Sequence, residues 1–537
     1  MNDSDLIYYQ IIFTLDSTIQ FIQHHVIFPF TSLMEEDGPA STNLTTASGC
    51  PVDNDLASMT SGTEMPYTLI QDQNLIEKLA HFNRERIPER PVHAKGAGAF
   101  GYFQCTKNMS RFTSADFLSA AGKKTNVFIR FSTVSGERGS ADALRDLRGF
   151  AVRFYTNQGN YDVVGNNSPI FFIRDAVKFP DFAHSQKRNP QTNLPDPNIF
   201  WDFLSLTPES IHQTTMLFSD RGTPKSYRMM DGFGVNTYMW YNKEKEYVWV
   251  KYHFRTLLGN QTLTNDEAEE LCGKCADSHT KDLFNAIKEG DFPQWKVYVQ
   301  IMTQKQALQY QFDPFDPTKV WYKADFPLQE IGIITLNKNP ENYYNDVELA
   351  AFAPSHFVPG VGPSPDKLLQ GRLFAYPDSH NWRLGSNNQQ IPVNRSKASV
   401  NTNQKDGNMT INGNGGYQPN YWPNSFGTTQ PDERFTPPED EINAVIMKHV
   451  QPLQDIDFIQ PRCLYKKVMR DVDRDHLISN IVGHLKMAKQ NLQYRQTALF
   501  FKCDPEYGTR VAEGLGIDVS RVRNLAAMSQ EKRVAAT

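Results

Sequence analysis

VHAKGAGAFGYF, residues 92–103, holds the spacing G-x-G-x-x-G at Gly96, Gly98 and Gly101, and Asp116 follows twenty positions after Gly96. A dinucleotide-binding loop would need a buried strand before the first glycine and a helix opening after the last, so that backbone N–H groups face a pyrophosphate. Neither is there. Upstream lies ERIPERPVHAK, with Pro88 and Pro91 among charges, and proline is poorly tolerated in a central strand because it cannot donate to the ladder. Downstream lies Phe100-Gly101-Tyr102-Phe103, whose aromatics favour strand. The stretch therefore reads as a glycine-loosened strand in which absent side chains let another group approach closely. A parallel βαβ array loses its best support.

The surrounding chain agrees. VFIRFSTV (127–134), GFAVRFYT (149–156), YDVVG (161–165), YVWVKYHF (247–254) and WKVYVQIM (295–302) are rich in β-branched and aromatic residues. Turn residues such as Asn157-Gln158-Gly159 separate some of them. That pattern predicts an antiparallel sheet or closed barrel. A helical insertion is expected at 266–290. Upstream, Leu75, Leu79 and Phe82 stand at helical spacing, so a short amphipathic helix is expected over 72–84. Residues 339–440 are rich in Asn, Pro and Gly, yet carry Tyr, Trp and Phe that disordered chain usually lacks. They are expected to wrap over something else. Ile478, Ile481, Val482 and Leu485 form an i, i+3, i+4, i+7 stripe, so the C-terminus is expected to be helical.

Composition excludes several classes. Of 537 residues, 39% are hydrophobic and 21% charged, as in a globular protein. A net charge of -5 gives no basic footprint for nucleic acid. No apolar run approaches the ~18 residues of a membrane span. Six scattered cysteines make no disulfide framework and suit a reducing, intracellular compartment. Cys272 and Cys275 form a lone C-x-x-C without the second pair that a zinc site would need. Residues 1–33 lack the basic start of a signal peptide and read as an extension outside the fold.

Chemistry concentrates within the wrapping segment. Ser364, Pro365 and Asp366 suggest an N-cap, a first-turn proline and a first-turn acid, and Gly385 suggests the end of a helix. Inside it, Arg372, Tyr376, His380 and Arg383 are offset by four, eight and eleven residues. At about 100° per residue these share one face. Two arginines, a tyrosine and a histidine are not a core stripe. A free phenol has a pKa near 10, and bringing it to 7 takes roughly 4 kcal/mol. A guanidinium in reach supplies part of that, and a metal ion bound to the phenolate could supply far more. Pro377 should kink the helix or cost it a hydrogen bond.

FNRERIPERPVHAKGAGAFGYF (82–103) and RLFAYPDSHNWR (372–383) together resemble the two signatures of haem-containing catalases. IRFSTV (129–134), VVGNNSPIFFIRDAVKFPDF (163–182) and HSQKRNPQTNLPDP (184–197) resemble the same family in the same order, and the likeness runs from about 66 to 500. In length the chain is similar to the small-subunit, monofunctional branch. The resemblance implies an α+β fold with an antiparallel β-barrel core, an N-terminal arm, a long irregular wrapping segment and a C-terminal helical domain. Expected boundaries are 1–33 for the extension, 34–93 for the arm with the distal histidine, 94–338 for the barrel, 339–455 for the wrapping segment with a proximal helix at 365–384, and 456–537 for the helical domain.

It also implies the dismutation of hydrogen peroxide to water and dioxygen through a ferryl haem intermediate. Carried over, Tyr376 is the proximal ligand to a b-type haem iron, with Arg372 supporting its phenolate. His93 is the distal base, Asn166 the distal amide and Ser132 the hydroxyl that orients the imidazole. Phe179 stacks on the haem, Val92 and His380 line it, and Arg90, Arg130 and Arg383 meet its propionates. The glycines of GAGAFG would then let backbone lie close to a flat macrocycle. NADPH is a possible second cofactor, at His212, Ser219, Arg221, Arg255, Val320 and Trp321, although Lys323 stands where many members have histidine. Asn236 likewise replaces a histidine of the proximal network that ends in Asp366, and Pro91 replaces a valine. A homotetramer is expected, without nucleic-acid or membrane partners, in the peroxisome or cytoplasm. The terminal Ala535-Ala536-Thr537 is not of the S-K-L type. The alternatives are a haem peroxidase or fatty-acid hydroperoxide isomerase on the same barrel, and a non-catalytic binding protein, which would be expected to have lost His93, Asn166 or Tyr376.

Overall fold

The structure is a computed structural model that describes residues 42–427, 429–439 and 444–537. The extension expected at 1–33 lies outside the described residues. Two compact units are distinguished, one ending at Arg86 and one running from Ile87 to Thr537. In the first, helix α1 (Gln73–Phe82) starts at Asp72, whose carboxylate accepts from the Leu75 N–H and so satisfies one of the helix's free N-terminal donors.

Among the described residues, the second unit is built on ten strands. These are β1 (Gly96–Cys105), β2 (Lys124–Thr133), β3 (Arg148–Thr156), β4 (Gly159–Asn166), β5 (Gly232–Phe233), β6 (Tyr238–Tyr241), β7 (Tyr247–Thr256), β8 (Gln294–Thr303), β9 (Gln329–Lys338) and β10 (Val361–Gly362). Strands β1 to β4 form an antiparallel meander; β4 passes through β5 to β7, then β8 and β9, and β9 returns to β1. The result is a closed eight-stranded antiparallel barrel, with β6 and β10 attached beside β7. Closure removes the edges that would otherwise invite pairing with another chain.

Each predicted strand lies in this barrel. Side chains alternate along a strand, so Phe131, Phe150, Phe154, Tyr161, Val250, Phe254 and Trp295 fill the interior as one cluster. Between them, Arg130, Ser132, Arg153, Asp162 and Asn166 point the other way and are buried too. Something must cover that outer face. The cover is the segment after β9, which packs Val347, Ala350, Phe352 and Val393 against Phe128, Tyr155 and Val164. Its asparagine-rich continuation behaves otherwise: Tyr417, Tyr421, Trp422 and Phe426 are exposed on the chain. On the chain by itself, the first half of the segment lies against the barrel and these aromatics do not.

None of the glycines Gly96, Gly98 and Gly101 lines the cleft that gathers His93 and Tyr376. A Cβ on Gly96 would lie 2.7 Å from the Arg130 guanidinium, one on Gly98 2.6 Å from the Phe128 ring, and one on Gly101 would meet the Thr335 carbonyl. They make room for neighbouring side chains and backbone of the barrel. Helices α2 (Phe179–Ser185), α3 (Pro197–Leu206) and α4 (Ile211–Phe218) fill the β4–β5 connection. The predicted helical insertion is two helices, α5 (Asn265–Lys274) and α6 (Ser278–Lys288), and α7 (Gln304–Gln309) follows β8.

Helix α8 (Lys367–Leu384) is the predicted chemistry-bearing helix. Its N-cap is Asp366 rather than Ser364: the Asp366 carboxylate accepts from the Leu369 N–H, while Ser364 Oγ accepts from the Asp366 N–H. The helix runs through Pro377 to the Gly385 cap at φ 92°, a conformation glycine adopts without a Cβ penalty. Helices α9 (Ile456–Cys463), α10 (Asp471–Leu485), α11 (Gln490–Cys503), α12 (Pro505–Leu515), α13 (Val519–Ala527) and α14 (Gln530–Ala535) close the chain. The predicted stripe on α10 buries Ile478, Ile481 and Leu485 against Trp201, Leu204 and Phe218 of α3 and α4.

Candidate active site

One rung of the barrel sets the first half of the site. Across β1 to β5, Gly96, Ser132, Gly149, Asn166 and Phe233 are directly opposite one another in register. Residues in register point to the same face, so Ser132 and Asn166 stand on the outer face with a gap between them at Gly149. His93 fills that gap. A Cβ on Gly149 would lie 2.7 Å from His93 Nδ1 and would also meet Ser132 Oγ. The imidazole Nδ1 is 2.9 Å from Ser132 Oγ, and the His93 N–H donates to the Val134 carbonyl at 3.0 Å. His93 has φ 65°, a left-handed conformation that costs a non-glycine residue of order 1 kcal/mol and is found at functional sites. Asn166 Nδ2 donates to the Arg148 carbonyl at 3.1 Å.

Burial, then the charges of Arg130, Arg372 and Arg90, pushes the His93 pKa down to about 3. The imidazole is neutral at any physiological pH. It is a proton acceptor at rest rather than a half-titrated group, which refines the expectation drawn from the free imidazole pKa near 6.5.

Helix α8 supplies the other half. Arg372 Nη2 donates to Tyr376 Oη at 2.9 Å and to the Val164 carbonyl at 2.6 Å. Its Nη1 donates to Asn236 Oδ1, and Asn236 Nδ2 donates to Asp366 Oδ2 at 2.7 Å. The phenol, guanidinium, amide and carboxylate are thus one chain of hydrogen bonds. Asn236 follows Val235, a β-branched residue at φ 63°, so a tight turn aims the amide at Arg372. Burial raises the Asp366 carboxyl to about 6, against the hydrogen bonds from Asn236 and Leu369. His380 Nε2 donates to the Phe352 carbonyl at 2.6 Å.

The two halves face one cleft. Arg90, Val92, His93, Arg130, Ser132, Asn166, Phe179, Arg372, Tyr376 and His380 all line it, together with Gly149 and Phe352. Arg383, the remaining expected contact, lies outside the lining. It bonds Glu348, with Nη1 to Oε1 at 3.2 Å and Nη2 to the carbonyl at 2.7 Å. Glu348 also lies 3.7 Å from Arg90. Nothing in the local sequence marks Glu348 or Gly149 as part of a site. Their roles follow from long-range register.

A haem fits these residues. Arg90 Nη1, Arg130 Nε and Arg383 Nε are buried donors without a hydrogen-bond partner, and His380 Nδ1 is a buried acceptor without one; an unpaired buried polar group costs about 1–3 kcal/mol. Guanidinium forks of that kind suit carboxylate side arms. The apolar walls Val92, Phe179 and Phe352 suit a flat ring, and an arginine-bonded phenol suits ferric iron.

A second cavity gathers His212, Arg221, Arg255, Val320 and Trp321, with Lys323 and Lys251. Ser219 is not in its wall; Ser219 Oγ donates to the Met216 carbonyl at 2.6 Å. Burial lowers the His212 pKa to about 4. No group of three or more His, Cys, Asp or Glu among the described residues forms a metal cage, and no described helix is long and apolar enough to cross a membrane.

The barrel carries an imidazole–amide pair on its outer face, and an arginine-bonded tyrosine lines the same cleft; the relatives of this chain make it an oxidoreductase acting on hydrogen peroxide. The family model described as Catalase matches residues 45–428, and that described as Catalase-related immune-responsive matches 453–515. The chain belongs to the catalase family and is a typical haem catalase, an enzyme that dismutates hydrogen peroxide. It is 55% identical to the catalase of Methanosarcina barkeri, over 93% of this chain and 99% of that one. It is 50% identical to the peroxisomal catalase of Toxoplasma gondii, over 88% and 95%. A crystal structure of a fungal catalase superposes with a TM-score of 0.86 at 43% identity, covering 90% of this chain and 98% of that one.

Proposed function

We propose that this chain holds a b-type haem in the cleft, where Tyr376 would hold the iron and His93 and Asn166 would be the pair that handles peroxide. The supporting observation is that the Arg372–Tyr376 pair and the His93–Ser132 pair line the same cleft. Arg90, Arg130 and Arg383 hold the propionates, and Val92, Phe179 and His380 complete the wall. When bound, the haem iron supplies the peroxide-binding position and the redox chemistry.

The protein's own groups manage protons and orientation. Arg372 donates to the Tyr376 oxygen and so fixes its direction into the cleft. Nδ1–H of His93 donates to Ser132 Oγ, so Nε2 keeps its lone pair for a peroxide proton. Nε2 of His93 would take that proton from one peroxide oxygen and carry it to the other; breaking the bond between the two oxygens is redox chemistry that the haem would supply. Asn166 donates a hydrogen bond without titrating. Neutral His93 suits this cycle, because a permanently protonated imidazole could not accept.

The second cavity takes NADPH through His212, Arg221, Arg255, Val320 and Trp321, without Ser219, whose hydroxyl is bonded to the Met216 carbonyl. The enzyme is a homotetramer that works inside the cell, in peroxisome or cytoplasm; the Toxoplasma gondii relative is named as peroxisomal. An absorption spectrum followed by an oxygen-electrode trace after adding peroxide tests the whole proposal. His93→Ala is expected to keep its Soret band and lose at least about 10³-fold in oxygen evolution, within the usual range for a general base. Full activity in that variant removes His93 from the mechanism.

A further inference from the structure

The outer face of the barrel carries a buried ion pair that the proposed reaction does not use. Arg153 on β3 and Asp162 on β4 are directly opposite in register, and both side chains are 0% exposed. They pair bidentately, Nε to Oδ1 at 2.8 Å and Nη2 to Oδ2 at 2.7 Å. A pair placed there only to join two strands would be a poor choice, since desolvating two charges offsets most of their attraction. Its remaining hydrogen-bonding capacity is spent elsewhere.

Every further bond goes to the segment that carries α8. On the N-terminal side, Arg153 Nη2 donates to the Ala351 carbonyl, the Ala353 N–H donates to Asp162 Oδ2 at 3.0 Å, and His356 Nδ1 is 2.7 Å from the same oxygen. Between those contacts, the Arg153 guanidinium lies 5.0 Å from the centre of the Phe352 ring. On the C-terminal side, Arg153 Nη1 donates to Asn394 Oδ1 at 2.9 Å and to the Val393 carbonyl at 3.3 Å. Asn394 in turn accepts from the Ala351 N–H at 2.8 Å and donates to the Leu349 carbonyl at 2.8 Å. Both flanks of α8 are therefore fastened to one point on the barrel. Phe352, held before, behind and over its ring, is a wall of the cleft and accepts from His380 of α8.

We infer that Arg153 and Asp162 are positioning residues: a single ion pair on the barrel latches the two chain segments on either side of the proximal helix, and so sets the Phe352 wall and the seat of Tyr376 against the distal face. The inference rests on the proposed haem site for its consequence, but not for its geometry.

The test uses the full chain with and without haem. The double variant Arg153→Met with Asp162→Leu replaces the pair by apolar groups of similar size, so that neither charge is left buried without its partner. Amide hydrogen exchange at residues 349–356 and 388–394 is expected to quicken about tenfold or more, with β2, β3 and β8 unchanged, because only the latched segments open. Haem transfer to apomyoglobin is expected to quicken by about the same factor. Asn394→Ala, which leaves the pair intact, is expected to quicken exchange at 388–394 and at Ala351, whose N–H it accepts from, but not at 353–356, which Asp162 holds, and serves if the double variant does not fold. Unchanged exchange in both segments overturns the inference. So does an equal rise across all barrel strands, which would make the pair a general stabiliser. A parent protein that takes up no haem would sink the haem proposal instead, while the exchange measurement on that protein still decides the latch.

Discussion

At the residue scale, His93 shows how surroundings decide chemistry. A free imidazole titrates near 6.5, but here burial and three arginines bring it to about 3. Oxygen evolution is therefore expected to show no acid limb near pH 6.5 from this group, and a pH–rate profile between 5 and 8 checks it. A limb with a midpoint at 6.5 that vanishes in His93→Gln would contradict the depressed value. Gly149 matters through what it lacks. Its missing Cβ is the space in which His93 Nδ1 meets Ser132 Oγ. Gly149→Ala is expected to lower kcat about 100-fold by displacing the imidazole, the order reported for a misplacement of about 1 Å, with the Soret band kept. An unchanged kcat would mean that the imidazole is held by other contacts.

At the element scale, α8 sits between two demands. Its inner face presents Arg372, Tyr376 and His380 to the cleft, while Phe374 and Trp382 on the opposite side are exposed. Asp366 is both its cap and the end of the proximal hydrogen-bond chain. Asp366→Ala removes a cap worth about 0.5–2 kcal/mol and leaves the buried Asn236 amide short of a partner at about 1–3 kcal/mol. A loss of roughly 2–4 kcal/mol is expected in denaturant unfolding, with haem lost at lower denaturant than in the parent. A haem-release midpoint that does not move would separate the cap from the cofactor seat.

At the scale of the whole molecule, buried histidines govern the response to acid. Burial is the largest cause in holding His93 and His253 at about 3, and His212, His279, His380 and His484 at about 4. These folded values lie below the unfolded value near 6.5, so between about pH 6.5 and 4 the unfolded chain binds more protons. Stability is fully present above that window and falls as pH drops through it. Each histidine contributes up to about 1.4 kcal/mol per pH unit. Thermal unfolding at pH 7.0, 5.5 and 4.5 is expected to show a steep fall in Tm, with net proton uptake on unfolding in the same window. A flat Tm down to pH 4.5 would contradict it. The C-terminal helices are tied in by charge as well as packing: Asp457 of α9 bonds Arg174 at 3.1 Å and Lys319 at 2.8 Å, all three buried.

The strands of the barrel, the helix over 367–384 and the shared face of Arg372, Tyr376 and His380 were legible in the sequence, because alternation and helical spacing are local properties of the chain. The family signatures carried the His93 and Asn166 assignments. What GAGAFG is for was not legible: its glycines yield to Arg130, Phe128 and Thr335, partners up to 234 positions away in the chain. Nor were the exposed aromatics of 417–426, the cap at Asp366, or the parts of Gly149, Glu348 and the Arg153–Asp162 pair. The periodicity of the chain determined which residues form strands and helices and which faces are polar. Only the closing of the barrel decided which of those polar faces are buried, and against what, because strand register brings together residues that no local pattern relates.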